Sequence, residues 1–180
     1  AGKSHYVAEA LVAHASAGQE RIVCGRQFQA SIKDSVKELL EKKIHTMGMA
    51  ALFTSTDREI VNVSTGSRFT FIGMDRNPDS AKSLEGTTIF WGEEAQTFTR
   101  RAVEVILPTV RHRLARFYWT WNPRFRTDPV DDMFRGVAPP ERAYIRHVSW
   151  RDNPHFLRTR LKSEYDRSLR SNLKRHKHIW

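Results

Sequence analysis

Cysteine is nearly absent: Cys24 is the single one in 180 residues. Intrachain disulfides and cysteine-only metal sites are thereby excluded, and a reducing compartment is the simpler setting. Long apolar runs are missing too, none approaching the roughly 18 residues of a membrane-spanning helix. No secretory leader is visible, because the opening stretch reads as helix and carries Lys3 and His5 close to Glu9. Internal repeats and low-complexity linkers are lacking, so residues 1–180 are expected to form one domain. Acid is in deficit as well, with 20 Asp and Glu against 30 Lys and Arg and a net charge of +10. That balance favours a polyanionic partner, nucleic acid ahead of membrane, since no basic amphipathic helix stands out. The plainer alternative is a basic but inert surface. The excess is uneven: residues 100–126 are Arg-rich without Lys, and 158–177 carry eight Lys or Arg.

What is present alternates between two periodicities. After Ser4, "HYVAEALVAHA" places Val7, Leu11 and Ala15 on one helical face ending near Gly18. "RIVCG" (21–25) is a short apolar run that predicts a buried strand. "SIKDSVKELLEKKIHTMG" spaces Ile32, Val36, Leu39, Leu40 and Ile44 as a helix closed by Gly48. "EIVNVSTGSRFTFIGM" predicts a β-hairpin about Ser64-Thr65-Gly66-Ser67. "GTTIFWGEEA" is a further apolar strand, "TRRAVEVILPTVRHRLA" is mostly helical, and "RFYWTWNP" is an aromatic strand stopped by Asn122-Pro123. "RAYIRHVSW" (142–150) predicts another strand, with "DNP" opening a polar helix from Pro154 to about Leu173. Strands alternating with helices imply an α/β fold with a mainly parallel sheet flanked by helices.

Three short stretches carry chemistry. Gly2-Lys3-Ser4 matches the end of the phosphate-binding pattern G-x-x-x-x-G-K-[ST]. At a helix N-terminus, free N–H groups and Lys3 suit phosphates, and the Ser4 hydroxyl suits Mg²⁺. Alone the triplet is a weak signal. In "TTIFWGEEAQ", an apolar strand ends on Glu93 and Glu94. Buried acids carry a desolvation cost unless they meet a cation or move a proton. Glu93 is then placed at the Mg²⁺ shell as a Walker B acid, and Glu94 as the group that orients the attacking water. The competing reading is a strand that ends in solvent, with two acids at the start of the next helix. In "YWTWNP", Thr120 and Asn122 fall on one side of a strand end, placed to sense a phosphate or simply to cap a turn. Loop, acidic strand and polar strand come in the order of a P-loop ATPase with a catalytic glutamate. About ninety residues separate Lys3 from the acids and about thirty more lead to the polar strand.

These stretches, with "RIVCGRQFQASIKDSVKELLEKKIHTMG", "SAKSLEGTTIFWGEEAQTFT", "LPTVR", "FYWTWNPRFRTDPV", "VSWRDNPHF" and "KRHKHIW", resemble the ATPase domain of the large terminase subunit of tailed bacteriophages and prophages. The resemblance covers nearly the whole chain. It implies a P-loop NTPase of the additional-strand, catalytic-glutamate (ASCE) type, with ATP and Mg²⁺ as cofactors. Gly2, Lys3 and Ser4 would be Walker A residues, Glu93 the Walker B acid, Glu94 the catalytic carboxylate, and Thr120, Trp121 and Asn122 a coupling motif. Glu93 departs from the Asp common at its position, yet its longer side chain can still hold a metal-bound water. Arg26 and Arg111 are both candidates for an arginine finger or phosphate sensor.

Implied partners are double-stranded DNA, a portal protein, the small terminase subunit and further copies in a ring, working in the host cytoplasm. The strand before the loop, the front of the loop and the adenine-holding residues are expected to be missing from residues 1–180, as is the family's nuclease. Weak nucleotide binding and no nuclease activity are therefore expected of these residues alone. Rival readings are another P-loop nucleic-acid motor, or a catalytically dead prophage fragment that only binds DNA or a partner. Lesser features are a histidine set (His176 and His178 with His147 or His155), read as solvated, and the aromatics of 117–121, read as core.

Overall fold

The computed structural model describes residues 2–28, 33–75, 84–153, 156–173 and 176. The chain divides into two compact units, Ser4–Ala143 and Tyr144–Trp180 together with Ala1–Lys3.

The larger unit is built on a six-stranded sheet. Its elements are α1 (Lys3–Ala17), β1 (Arg21–Arg26), α2 (Glu38–Thr46), β2 (Phe53–Ser55), β3 (Glu59–Asn62), β4 (Arg68–Gly73), β5 (Ile89–Glu93), α3 (Arg100–Thr109), β6 (Arg116–Thr120) and α4 (Pro129–Arg135). The strand order is β2-β3-β4-β1-β5-β6. Strands β4, β1, β5 and β6 run parallel, while β2 and β3 pair antiparallel beside them. This is the mainly parallel α/β sheet the sequence implies.

Strands β1 and β5 are covered on both faces, which is why they read as continuous apolar runs rather than alternating ones. Ile22, Cys24, Ile89 and Trp91 face one core with Val7, Leu11, Val12, Leu40 and Ile44 from α1 and α2. Val23 and Phe90 face the other, with Val103 and Ile106 from α3 and Val130 from α4. The expected face of α1 is the buried one, Val7, Leu11 and Ala15. Between β1 and β5 the backbones carry glycine where rings press in. A Cβ on Gly92 would lie 2.5 Å from the Trp119 ring, and one on Gly25 2.8 Å from Phe90. The aromatics of β6, read as core, are half-buried and pack against it: Trp119 lies 5.4 Å from Phe90 and 5.9 Å from Phe98.

The hairpin forms between β3 and β4. The Asn62 Oδ1 accepts from the backbone N–H of Ser64 and Thr65 at 2.9 and 3.1 Å, a side-chain-built turn. Helix α3 starts on Thr99, whose hydroxyl accepts from Ala102 N–H at 3.1 Å. It ends one residue past Pro108, which has no N–H to continue the ladder. The helix expected over 31–48 is regular only from Glu38; Lys33–Lys37 is a π-helical turn, and residues 31–32 lie outside the described residues.

Two expectations need correction. Residues 142–149 form no strand, and Tyr144 and Ile145 are exposed. An alternating pattern makes a strand only where a partner supplies hydrogen bonds and packing, and this segment pairs with none of the described strands. The polar helix begins later than Pro154: α5 is Arg160–Ser171, preceded by 3₁₀ turns at Trp150–Asp152 and Phe156–Arg158. Ser149 and Asp152 close a capping box on the first of these. In this smaller unit Trp150, Phe156 and Tyr165 cluster, with the Phe156 and Tyr165 ring centroids 4.7 and 4.8 Å from that of Trp150.

His176 belongs to that cluster rather than to solvent. It is buried, lies 4.5 Å from the Tyr165 ring centroid, and its Nδ1 is 2.9 Å from Ser168 Oγ. His147 is exposed, and His155 and His178 lie outside the described residues. Among the described residues no three potential ligands gather as a metal cluster, and no helix is long and apolar enough to cross a membrane.

Near the end of α1, His14 sits between two fixed partners. Arg116 Nη1 is 2.9 Å from its Nδ1, and Tyr118 Oη is 3.0 Å from its Nε2. Arg116 Nη1 also lies 3.3 Å from Nε2, so the guanidinium, which only donates, sits against both ring nitrogens. Burial and then the Arg116 charge hold this imidazole below its ordinary value, with Glu20 opposing them. The folded chain therefore binds this proton less readily than the unfolded chain does. Local stability should fall as pH drops through the ordinary imidazole range near 6.5. Hydrogen exchange over 3–17 and 116–120, corrected for the intrinsic pH dependence of exchange, should show lower protection at pH 5.5 than at pH 7.5 in the wild type, and less of a fall in His14→Gln.

Candidate active site

The parallel strands bring their carboxyl ends to one edge of the sheet, the edge at which ligands bind in open α/β folds. Gly2 has φ +82°, a left-handed conformation that glycine adopts without strain, and the chain turns there into α1. Helix α1 opens on Lys3 and Ser4 with no acid in its first turn, so its N-terminal end presents positive potential. Desolvation holds the Lys3 ammonium below its usual value.

Ser4 is joined to the strand acids: its Oγ donates to Glu93 Oε1 at 3.1 Å. The other oxygen, Oε2, accepts from Arg26 Nε at 2.6 Å. Arg26 Nη2 reaches Glu94 Oε1, also at 2.6 Å. One guanidinium thus holds both acids, from the end of β1, which pairs with β5. Glu93 and Arg26 are buried, whereas the Glu94 side chain is 49% exposed.

Glu94 is held in an unusual backbone. At φ 50° and ψ 42° it is the one non-glycine residue with positive φ among those described. Such a conformation costs about 1–3 kcal/mol and persists only where its surroundings enforce it. Nearby, burial first and the Glu93 charge second push the Cys24 thiol well above its ordinary range, which leaves it a protonated core group.

The third predicted stretch adjoins the acids. Thr120 pairs with Glu93 in the β5–β6 register. Its hydroxyl is not turned to an open site but accepts from Trp91 Nε1 at 3.1 Å. Trp121 Nε1 donates to the buried Asp131 of α4 at 3.0 Å, and Arg135 donates to the same oxygen at 3.2 Å. Asn122 is exposed, and its backbone N–H donates to Gln96 Oε1 at 3.0 Å. Arg111 lies exposed between α3 and β6, at the amino end of the strands, so Ser4, Arg26, Glu93, Glu94 and Thr120 gather without it.

Sequence reasoning gave no role to Gln27, Gln96 or Asp131. The Gln27 Oε1 accepts from Thr99 N–H at 3.1 Å, and the Gln96 backbone carbonyl accepts from Arg124 Nη2 at 2.9 Å. Gln96 follows Glu94 by two residues, and that spacing was its only signal in the sequence.

A parallel core with a Gly-Lys-Ser helix start and paired acids at its carboxyl edge defines a P-loop NTPase fold. The chain belongs to the phage terminase large subunit family, whose model matches residues 1–180. Solved structures agree on the fold. The large terminase of bacteriophage HK97 superposes with a TM-score of 0.69 at 14% identity, over 99% of this chain and 43% of that one. The large terminase of a thermophilic bacteriophage, in complex with ADP, gives 0.65 at 14% identity, over 89% and 40%. Another crystal form of that thermophilic-phage terminase gives 0.60 at 14% identity, over 76% and 36%. The chain thus spans about two fifths of the length of these terminases. No curated protein matches it.

Proposed function

We propose that this chain is the ATP-hydrolysing domain, residues 1–180, of a motor that drives double-stranded DNA into a procapsid. The observation that carries the reading is the cluster of Ser4, Arg26, Glu93 and Glu94 at the carboxyl edge of the sheet. Family membership and the similarity to an ADP-bound phage terminase support it, and favour packaging over another nucleic-acid motor.

The roles follow from position. Gly2, Lys3 and the first N–H groups of α1 receive the phosphates of the nucleotide. The Ser4 hydroxyl and the Glu93 carboxylate, hard oxygen donors 3.1 Å apart, fit Mg²⁺ and would hold it. The metal, when bound, offsets charge on the transferring phosphoryl group. Glu94, the more exposed acid, orients a water and accepts its proton as the water oxygen bonds to the terminal phosphorus. The bond from phosphorus to the bridging oxygen breaks, giving ADP and inorganic phosphate. Thr120, Trp121 and Asn122 lead away from the acids, and the Trp121–Asp131 hydrogen bond ties that stretch to α4. Arg111 is left available to a neighbouring copy in a ring.

The net charge of +10 suits the phosphate backbone of DNA, which a translocating motor grips without reading sequence. Portal protein and small terminase subunit complete the set of partners, with the host cytoplasm as the place of work. The test is phosphate release from ATP by the intact gene product, with and without double-stranded DNA. Turnover stimulated by DNA is the expected result. No turnover under either condition overturns the reading.

A further inference from the structure

Arginines gather about α3 and α4 at positions that local rules disfavour. Arg100 and Arg101 open α3 with no acid in that first turn, so two cations meet the positive end of the helix dipole. The loop from β6 to α4 is fixed at its base, where Arg124 Nη2 donates to the Gln96 carbonyl. Phe125 and Asp128 then close a tight turn: Asp128 N–H donates to the Phe125 carbonyl at 3.1 Å, and Phe125 N–H to Asp128 Oδ2 at 3.2 Å. The turn presents Phe125, 66% exposed, with Arg126 exposed beside it. Arg126, Asp131, Asp132, Arg135 and Gly136 line one open cavity of about 330 Å³. Arg100 reaches the same place from α3, its Nη2 3.5 Å from Asp132 Oδ2. The two aspartates do not balance these cations. Asp131 is buried and accepts from both Trp121 and Arg135 on one oxygen, and the Arg100–Asp132 pair is exposed and weak. Arg101 and Arg126 have no ion-pair partner among the described residues.

We propose that Arg100, Arg126 and Arg135, with Arg101 beside Arg100, form a surface that grips backbone phosphates of double-stranded DNA. The inference rests on the DNA-translocating reading given above and names where that motor touches its track. A single small anion is satisfied by one bidentate guanidinium, whereas cations brought by α3, the loop and α4 around an open cleft suit a chain of phosphates. Arg126 is free to take a phosphate directly. The exposed Arg100–Asp132 pair exchanges its carboxylate for a phosphate at little cost. Phe125 lies against the sugars, the apolar part of the backbone, and counterions released from the duplex supply the driving force. Asp131 joins this surface to the acids. The oxygen that holds Arg135 also holds Trp121, so a phosphate drawn to Arg135 acts one hydrogen bond away from the stretch that leads from Glu93 and Glu94.

The affinity of the intact gene product for two duplexes of unrelated sequence is measured by fluorescence anisotropy between about 50 and 200 mM salt. Arg126→Glu should lower affinity about tenfold on both duplexes and flatten the slope of log affinity against log salt by about one. The DNA concentration that half-maximally stimulates phosphate release should rise by the same factor. Joint replacement of Arg100, Arg126 and Arg135 by alanine should flatten the slope by about three. If that triple variant fails to fold, replacing Arg100 and Arg126 alone should flatten it by about two. Arg126 has no ion pair to lose, so the unfolding midpoint of Arg126→Glu should stay within about 2 °C of wild type. Arg58→Glu, the same change in the exposed turn between β2 and β3, should leave affinity and slope as in wild type. Unchanged affinity and slope in Arg126→Glu, or an equal loss in Arg58→Glu, overturns the inference and leaves the nucleotide site standing. Altered self-association with unchanged DNA affinity marks an interface between copies and overturns it as well. Failure of the wild-type protein to bind either duplex overturns both this inference and the packaging reading.

Discussion

Glu94→Gln should abolish multiple-turnover ATP hydrolysis while leaving ADP binding intact. A positioned general base contributes about 10²–10⁴-fold to rate, equivalent to about 2.7–5.4 kcal/mol at 1.36 kcal/mol per tenfold. Glutamine matches glutamate in volume and accepts hydrogen bonds but takes no proton. Its backbone demand at φ 50° is the same, so the turn after β5 survives. Arg26 retains its bond to Glu93, and Ser4 is untouched. The structural cost is therefore small and the chemical cost is large. Single-turnover phosphate release, paired with an affinity for ADP, separates the two. A drop of at least about a hundredfold in release with unaltered ADP affinity is expected, whereas unchanged release would falsify the enzymatic reading. Glu94→Asp adds a geometric control: it keeps the carboxylate but withdraws it by one methylene, and a misplacement of about 1 Å costs on the order of a hundredfold.

Much of this site is legible in the sequence because its parts are strand ends and helix starts. "RIVCG" and "IFWGE" are apolar nearly throughout since both faces of β1 and β5 are covered, and that also fixes which residues fall at the carboxyl edge. The two candidate arginines show where such reading stops. Arg26 and Arg111 both flank apolar segments, and only the parallel register puts one beside Glu93 and the other at the far edge. Nothing in the letters of "GEEA" announces the positive φ of Glu94, because any alternating strand would have carried the pair to opposite faces. The segment 142–150 misleads for a related reason. Its apolar alternation states a preference that only a neighbouring strand could realise. His176 reads as solvated among basic residues, yet Tyr165 and Ser168, one turn apart on α5, make a place for the ring. Burial of that kind is a tertiary fact.

Trp91→Ala should be the most destabilising single change in the sheet. Trp91 is fully buried on β5, two residues ahead of Glu93, in the core formed with α1 and α2. Replacing a buried tryptophan by alanine costs about 3–5 kcal/mol from lost burial and the cavity left behind. For a chain of this size that lowers the unfolding midpoint by about 6–20 °C, at roughly 2–4 °C per kcal/mol. The conservative Trp91→Phe isolates a second effect. It keeps most of the volume but removes the Nε1–H that Thr120 accepts at 3.1 Å, which costs about 1–3 kcal/mol if the hydroxyl stays buried and unpartnered. Thr120 registers with Glu93, so the indole fixes the strand end that adjoins the acids and leads into Trp121 and Asp131. Thermal unfolding of the intact gene product should rank wild type above Trp91→Phe above Trp91→Ala. A loss below about 1 kcal/mol for alanine would mean that the ring is not packed as described. If Thr120 matters to motion rather than to chemistry, Trp91→Phe should also hydrolyse ATP at close to the wild-type rate and translocate less DNA per ATP. An aromatic core residue would then be setting the mechanical yield of the site from beneath it.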